Sequence, residues 1–461
     1  MIVSATQAFT NAKFASILKI VSATLAFLLI DSASTAQAHL AHASEGEENE
    51  SNVTLAYLDQ AASFSVDEKA LEEFLKIARL DGNSSGINSH AKLLKSIEEN
   101  AAKVVADKIN AKHDQIHFTC SATIANNIAI LGVANRHPRC HLITSKIEHK
   151  SVLNVFKHLE KNGYKVTYLD VDRYGNVDLN QLQKCFQNDS KDTRVKLISI
   201  QMFNSEIGTL QNVKEIGRIA RQHGVLFHTD AAQSFCKYDI DANAMNIDIL
   251  TVAGHKIGAP KGIAALYIRN PEKLSPILFG SGDEFFPGSK PTELIAAFAI
   301  AVKNFKFDRK KIERNFNELK EILLTIRKIY INSSVPSHIL SVSIDGVLLA
   351  DILERMKDYS FSAGCSCLGQ EKSNVMEAID PEDKLPSCTI RISFSDTINS
   401  AQLVDFAKKL KIVVEQLRQE KSIGKGCQRN GAGNTGANDL KNIPSELAKK
   451  ILTDALKEKT G

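Results

Sequence analysis

Three absences narrow what this 461-residue chain can be. Its eight cysteines, Cys120, Cys140, Cys185, Cys236, Cys365, Cys367, Cys388 and Cys427, include no CxxC pair and no regular spacing. That excludes a zinc ribbon and a disulfide-dense scaffold, so most read as plain core thiols and no metal site is expected. Excess charge is missing too: Lys+Arg outnumber Asp+Glu by only 57 to 53, a net charge of +4, and the lysines are scattered among acids. So slight a bias gives no reason to expect a nucleic-acid partner. The marked apolar run, Ile20 to Ile30, falls short of the roughly 20 residues that a membrane-spanning helix needs.

What is present is an ordinary globular composition, 43% hydrophobic and 24% charged, long enough to bury a large core in two packed units with tails. From Met1 to Ile30 there is no acid, Lys13 and Lys19 precede the apolar run, and small residues follow with Ala-x-Ala exits near Ala38 and Ala43. This is a signal- or transit-like leader, for which an organelle or membrane-associated destination is favoured over the outside. The acidic stretch SEGEENESN then reads as a linker, so residues 1–54 are leader and linker and the folded part begins near Leu55. At the other end, residues 423–461 combine a Gly/Asn-rich linker with an amphipathic tail helix carrying Leu447, Ile451, Leu452, Ala455 and Leu456.

Between these tails the chemistry gathers at His228 to Gly262. VLFHTD is an apolar run ending in the carboxylate of Asp230, and IDILTVAGHK is a second ending in His255 and Lys256. Both read as buried parallel strands that deliver polar groups at their C-terminal ends, where open α/β sheets place their sites. A lysine and a carboxylate on neighbouring strand ends suit pyridoxal 5'-phosphate, the lysine bonding to the aldehyde and the carboxylate keeping the pyridine nitrogen protonated. Upstream, IHFTCSATIANN passes from a strand, Ile116 to Thr119, into a helix starting at Ala122 or Thr123. The free amides of such a helix start, with the Thr123 hydroxyl, make a phosphate cradle. The runs GYKVTYLDVD, VKLISIQM, VKEIGRIARQ and IAALYI alternate strand with helix, which predicts an α/β fold with a mostly parallel, doubly wound sheet over residues 55–320. After a charged helix near Asp308 to Ile329, HILSVSIDG, LLADILERM and SCTIRISFS predict a smaller α+β domain over residues 321–422. An amphipathic helix after GNSSGINSH is expected to bury Leu93, Leu94, Ile97, Ala101, Val104 and Val105.

HTDAAQ and VAGHK together resemble the fold-type I pyridoxal-phosphate enzymes, and more narrowly the class V aminotransferase group that contains the cysteine desulfurases. Several other stretches are similar to that family's motifs. The entry segment YLDQAASF resembles YLD-x-x-A and puts Ala62 near the substrate, with Gln60, Phe64 and Ser65 departing from the usual residues. KIEHKS supplies His149, which by resemblance stacks on the cofactor ring and serves proton transfer. In QMFNSEIGT and DAAQ, the amides of Asn204 and Gln233 are implied to reach the cofactor's phenolic oxygen, Asn204 also touching substrate. His255 is implied at the phosphate, while Ala253 stands where the family carries a serine. In GSGDEFFPGSK, Ser289 takes the place of a residue that reaches the phosphate of a neighbouring subunit, which implies a homodimer. FSAGCSC resembles the desulfurase nucleophile loop and places Cys367 as the nucleophile, with Cys365 as its rival. Arg391 in TIRIS matches the residue that binds the substrate carboxylate through two parallel hydrogen bonds.

The resemblance therefore implies conversion of L-cysteine to L-alanine with a persulfide left on Cys367. A sulfur-acceptor or iron-sulfur scaffold protein would collect that sulfur for cluster assembly or thiolation. A selenocysteine lyase, another class V aminotransferase and a non-catalytic scaffold homologue remain the alternatives.

Overall fold

The computed structural model describes residues 56–187, 194–363 and 373–429. The leader, the tail helix beyond residue 429 and the loop holding Cys365 and Cys367 lie outside the described residues. The described residues belong to one compact unit.

Its larger layer is a seven-stranded sheet. In chain order the strands are Ile116–Thr119 (β1), His141–Ser145 (β2), Lys165–Leu169 (β3), Val195–Ser199 (β4), Leu226–Asp230 (β5), Ile249–Ala253 (β6) and Ala264–Ile268 (β7). They lie in the spatial order β1-β7-β6-β5-β4-β2-β3, and all but β7 point the same way. Strands β2, β6 and β7 are buried along their whole length, as expected where helices cover both faces of a sheet. The expected mostly parallel, doubly wound sheet is therefore present.

A second, four-stranded sheet contains Ile329–Ile331 (β8), Ile339–Ile344 (β9), Ser362–Ala363 (β10) and Thr389–Ser393 (β11), in the order β10-β11-β9-β8 and antiparallel throughout. Its core joins Leu340, Ile390 and Phe394 to Phe316 of the helix Arg309–Leu323 and to Phe406 of the helix Ser400–Arg429. Leu58 of the entry segment packs into this smaller core, although it lies far away in sequence. The entry segment also pairs with it: Ala56–Tyr57 run parallel to Tyr359–Ser360, and Ser393 donates its amide to the Leu58 carbonyl at 2.8 Å.

The helix Ser89–Asp107 turns a slightly different face inward than its apolar residues predict. Leu93 is exposed, and Glu98 and Ala102 are buried instead. Glu98 tolerates burial because the Thr292 hydroxyl donates to its carboxylate at 2.6 Å. Asn88 caps this helix by accepting the Ala91 amide at 2.9 Å.

One buried group lacks such compensation. Lys237 is 2% exposed, and its Nζ has no hydrogen-bond partner among the described residues and lies 4.9 Å from the centre of the Phe64 ring. Burial, with the nearby Lys256 charge, pushes its amine down to about 7. Because this proton affinity is depressed in the folded state, the unfolded chain binds the extra proton between about pH 7 and 10.5, and stability must rise with pH across that window. Replacing Lys237 by Met should raise stability by roughly 1–3 kcal/mol at pH 7 and below, with the gain fading towards pH 10. Thermal melts of both proteins across this range check it, and a gain that does not change with pH would contradict the charge argument.

Candidate active site

Strands β1, β2, β4, β5 and β6 all end on one edge of the large sheet, and the residues just past those ends line a cavity of about 610 Å³. This volume is in the range of small-molecule sites, and its position is the one that parallel sheets favour. Asp230 ends β5 and Ala253 ends β6, and both stand on the cavity wall.

Lys256 follows β6 in the single 3-10 turn Gly254–Lys256. Its amine enters the cavity and donates to the main-chain carbonyl of Ala61 and, at 2.9 Å, to that of Ala62. Burial and the nearby Arg391 charge push its amine down to about 8, so a neutral, nucleophilic amine is accessible at modest cost.

Asp230 is 8% exposed and fully engaged. It accepts the Ala232 amide at 2.9 Å and the Asn126 side-chain amide at 2.8 Å. Asn126, itself buried, also donates to the Ser151 hydroxyl at 2.9 Å, and that hydroxyl lies 2.8 Å from His149 Nδ1. His149 Nδ1 also accepts the Ser151 amide at 3.1 Å, so it carries a lone pair and the neutral ring holds its hydrogen on Nε2. Burial lowers the proton affinity of His149, against the opposing pull of Asp230. Carboxylate, amide, hydroxyl and imidazole thus form one chain of fixed orientation.

The helix Ala122–Arg136 starts on the cavity wall, with Ser121 as its N-cap. Ser121 Oγ accepts the Ile124 amide at 3.3 Å, and the position of Ala122 and Thr123 in the first turn leaves their amides without helical acceptors. His255 also faces the cavity, and burial next to Lys256 drives its imidazole down to about 4, keeping it neutral at physiological pH. Ala253 presents only a methyl there.

Arg391 projects from β11 of the smaller sheet to the opposite wall. Its guanidinium pairs with Asp59 at 2.7 Å and donates to the Ser362 hydroxyl at 3.0 Å and the Ser205 carbonyl at 2.9 Å. Gln233 shares the wall and donates to the Ala61 carbonyl at 2.8 Å. Lys256, Asp230, His149, Ala122, Thr123, Gln233, His255 and Arg391, all picked out in the sequence, therefore border one cavity.

Two do not. Asn204 is buried behind the wall: its Oδ1 accepts the Glu206 and Ile207 amides at 2.8 and 2.9 Å, and its Nδ2 donates to the Ile147 carbonyl at 3.1 Å. The turn after β4 needs an acceptor for those amides, and a local Asx-type bond claims the side chain that resemblance sends to the ligand. Gln201 lies on the wall in that region instead. Ser289 is also off this cavity, accepting from Asn83 Nδ2 at 3.1 Å. Cys367 lies outside the described residues. Sequence reasoning passed over Asn126, Ser151 and Asp59. Asn126 had a signal, a polar residue in the otherwise apolar helix ATIANNIAILGVA, whereas Asp59 gives none until the two sheets meet.

This donor set suits a flat aromatic aldehyde phosphate: an amine for the aldehyde, a fixed carboxylate for a ring nitrogen, an imidazole for a ring face and a helix start for the phosphate. Comparison with known proteins agrees. Residues 56–405 match the family model described as aminotransferase class-V. The chain is 35% identical over 393 residues to the mitochondrial cysteine desulfurase of Candida albicans, covering 79% of this chain and 79% of that protein. It is 33% identical to the cysteine desulfurase IscS of Neisseria meningitidis, covering 79% of this chain and 94% of the relative. Among solved structures, one described as SspA in complex with cysteine superposes with a TM-score of 0.66 at 34% identity, over 74% of this chain and 99% of that one. A NifS-like protein superposes with a TM-score of 0.71 at 27% identity, over 78% of this chain and 100% of that one. The chain belongs to the class V aminotransferase family, within its cysteine desulfurase branch.

Proposed function

We propose that this chain is a pyridoxal-phosphate-dependent cysteine desulfurase that converts L-cysteine to L-alanine and passes the sulfur to Cys367. The observation that carries this reading is the meeting of Lys256, Asp230, His149 and Arg391 around one cavity. When bound, pyridoxal phosphate supplies an electron sink for negative charge developing at the substrate α-carbon. Lys256 would hold the group by its aldehyde carbon and, as a free amine near 8, would move the substrate α-proton. Asp230, oriented by Asn126, would hold the pyridine nitrogen protonated. His149, with its hydrogen on Nε2, would help hold the ring. The Ala122 and Thr123 amides and neutral His255 would hold the phosphate, and Arg391 would take the substrate carboxylate.

The Cys367 thiolate attacks the substrate sulfur: a sulfur–sulfur bond forms, the substrate carbon–sulfur bond breaks, and the carbon released gains a proton to give alanine. Three other thiols suit this role poorly, because burial pushes Cys140 up to about 11 and Cys236 and Cys388 up to about 12. A sulfur-acceptor or iron-sulfur scaffold protein collects the persulfide, in an organelle reached through the leader. The chain works as a homodimer, in which Ser289 serves the neighbouring cofactor. Supporting this, the two loops joined by the Asn83–Ser289 bond carry Ile87 at 92% and Phe279 at 89% exposure, apolar surface that a partner would cover.

Purified without its leader, the protein should show the visible absorption of a lysine-bound cofactor and form alanine from cysteine. Lys256→Ala should lose that band; a retained band rejects the cofactor assignment. Cys367→Ser should keep the band and lose sulfide release from cysteine, and unchanged release would move the nucleophile to Cys365 or elsewhere. Ala253→Ser restores a hydroxyl on the cavity wall and should tighten cofactor binding by about 1 kcal/mol, roughly fivefold, as read by the rate of cofactor loss on dilution.

A further inference from the structure

Glu206 is a buried carboxyl on the cavity wall that the chemistry above does not use. Its Oε2 is buried without a hydrogen-bond partner among the described residues, while its backbone amide is pinned by Asn204 Oδ1 at 2.8 Å. It follows Ser205, whose carbonyl accepts from Arg391 at 2.9 Å, and the Arg391 charge acts on its carboxyl. The charged and polar groups acting on it are Ser373, Arg391 and Lys150, and Lys256, His149 and Asp230 share the cavity.

An α-amino acid carries its ammonium on the same carbon as its carboxylate. A carboxylate next to the arginine that takes one is therefore placed to meet the other. Amino acids enter near neutral pH as zwitterions, yet only the free amine can bond to an aldehyde carbon. We infer that Glu206 is a catalytic residue of this site, a general base that receives the zwitterionic substrate's ammonium and removes one proton from it. The step balances simply: the N–H bond breaks, its electron pair stays on nitrogen, and the proton converts the Glu206 carboxylate to the acid, which later releases it to water. Burial pushes the Glu206 carboxyl up to about 7, against the Ser373 hydrogen bond and the Arg391 charge, and this matches a base that works near neutral pH. Glu206 is thus charged above about pH 7 and protonated below.

The inference rests on Arg391 and Lys256 having the roles proposed above. The test compares Glu206→Gln and Glu206→Asp with the wild-type full-length holoenzyme, following both the visible spectral change on mixing with cysteine and alanine formation. All three should show the same resting band. At pH 7, Gln should slow the spectral change and lower kcat/KM tenfold or more, with kcat much less affected. The defect should shrink as the pH rises above the point where free cysteine loses its ammonium proton, because the substrate then arrives as the amine. Asp, which keeps the carboxyl, should retain most of the rate and decides the matter if Gln does not fold. A Gln defect that is equal at every pH, or absent at pH 7, overturns the inference, as does an Asp variant as impaired as Gln. Absence of the band in the wild type would instead reject the cofactor reading itself.

Discussion

The interaction on which the site depends most is made by main-chain atoms. The Ala61 carbonyl accepts from both Lys256 and Gln233, and the Ala61 amide donates to Ser393 Oγ at 2.9 Å. One residue of the entry segment therefore ties the lysine of the large sheet to the end of β11 in the smaller one. Neighbouring bonds reinforce the seam: the Phe64 amide donates to the His255 carbonyl at 2.9 Å, and the Asp67 amide to that of Gly258 at 2.8 Å. A buried amine without acceptors is costly, and the acceptors that Lys256 finds, the carbonyls of Ala61 and Ala62, belong to the entry segment. The geometry around Lys256 is thus a tertiary property, sensitive to anything that shifts residues 58–67.

Along the wall runs a second constraint, the chain Asp230, Asn126, Ser151 and His149. Buried polar groups cost free energy unless each is satisfied, and a half-satisfied network is worse than an apolar core. Here the Asn126 amide donates to both Asp230 and Ser151, leaving its own Oδ1 as the unpaired atom among the described residues, so orientation is set before a ligand arrives. That ordering explains why the helix Ala122–Arg136 accepts a buried asparagine in an apolar stretch. The polar residue costs some packing and fixes the carboxylate.

Much of this was legible in the sequence because parallel topology does the placing. Once VLFHTD and IDILTVA read as buried strands, Asp230 and Lys256 had to emerge on one edge, and the helix start at Ala122 had to join them. Local backbone demands on side chains are less legible. Asn204 has the right chemistry and the right distance past its strand, and two amides in its own turn engage its oxygen. Leu93 lost its buried place to Glu98, whose Thr292 partner lies 194 residues away and so leaves no local trace. The role of Ala61 was invisible for a plainer reason: its carbonyl does the holding, and a carbonyl has no signature in sequence.

The two sheets also divide the chemistry. Groups from the large sheet, with Lys256, Asp230 and His149, would serve many reactions of amino acids, because in the proposed reading they address a cofactor. The smaller sheet brings Arg391, and the Asp59 carboxylate of the entry segment holds it at 2.7 Å. A partly buried guanidinium without an anion would be costly, so Asp59 stabilises the resting site. On the role proposed for Arg391, a substrate carboxylate would have to take over some of that contact, so binding would be an exchange of one carboxylate for another, in which the net gain is smaller than a new ion pair would give. Such an exchange would favour discrimination over raw affinity. A ligand lacking the carboxylate would have nothing to offer in place of Asp59, whereas an amino acid would displace it and present its ammonium to Glu206.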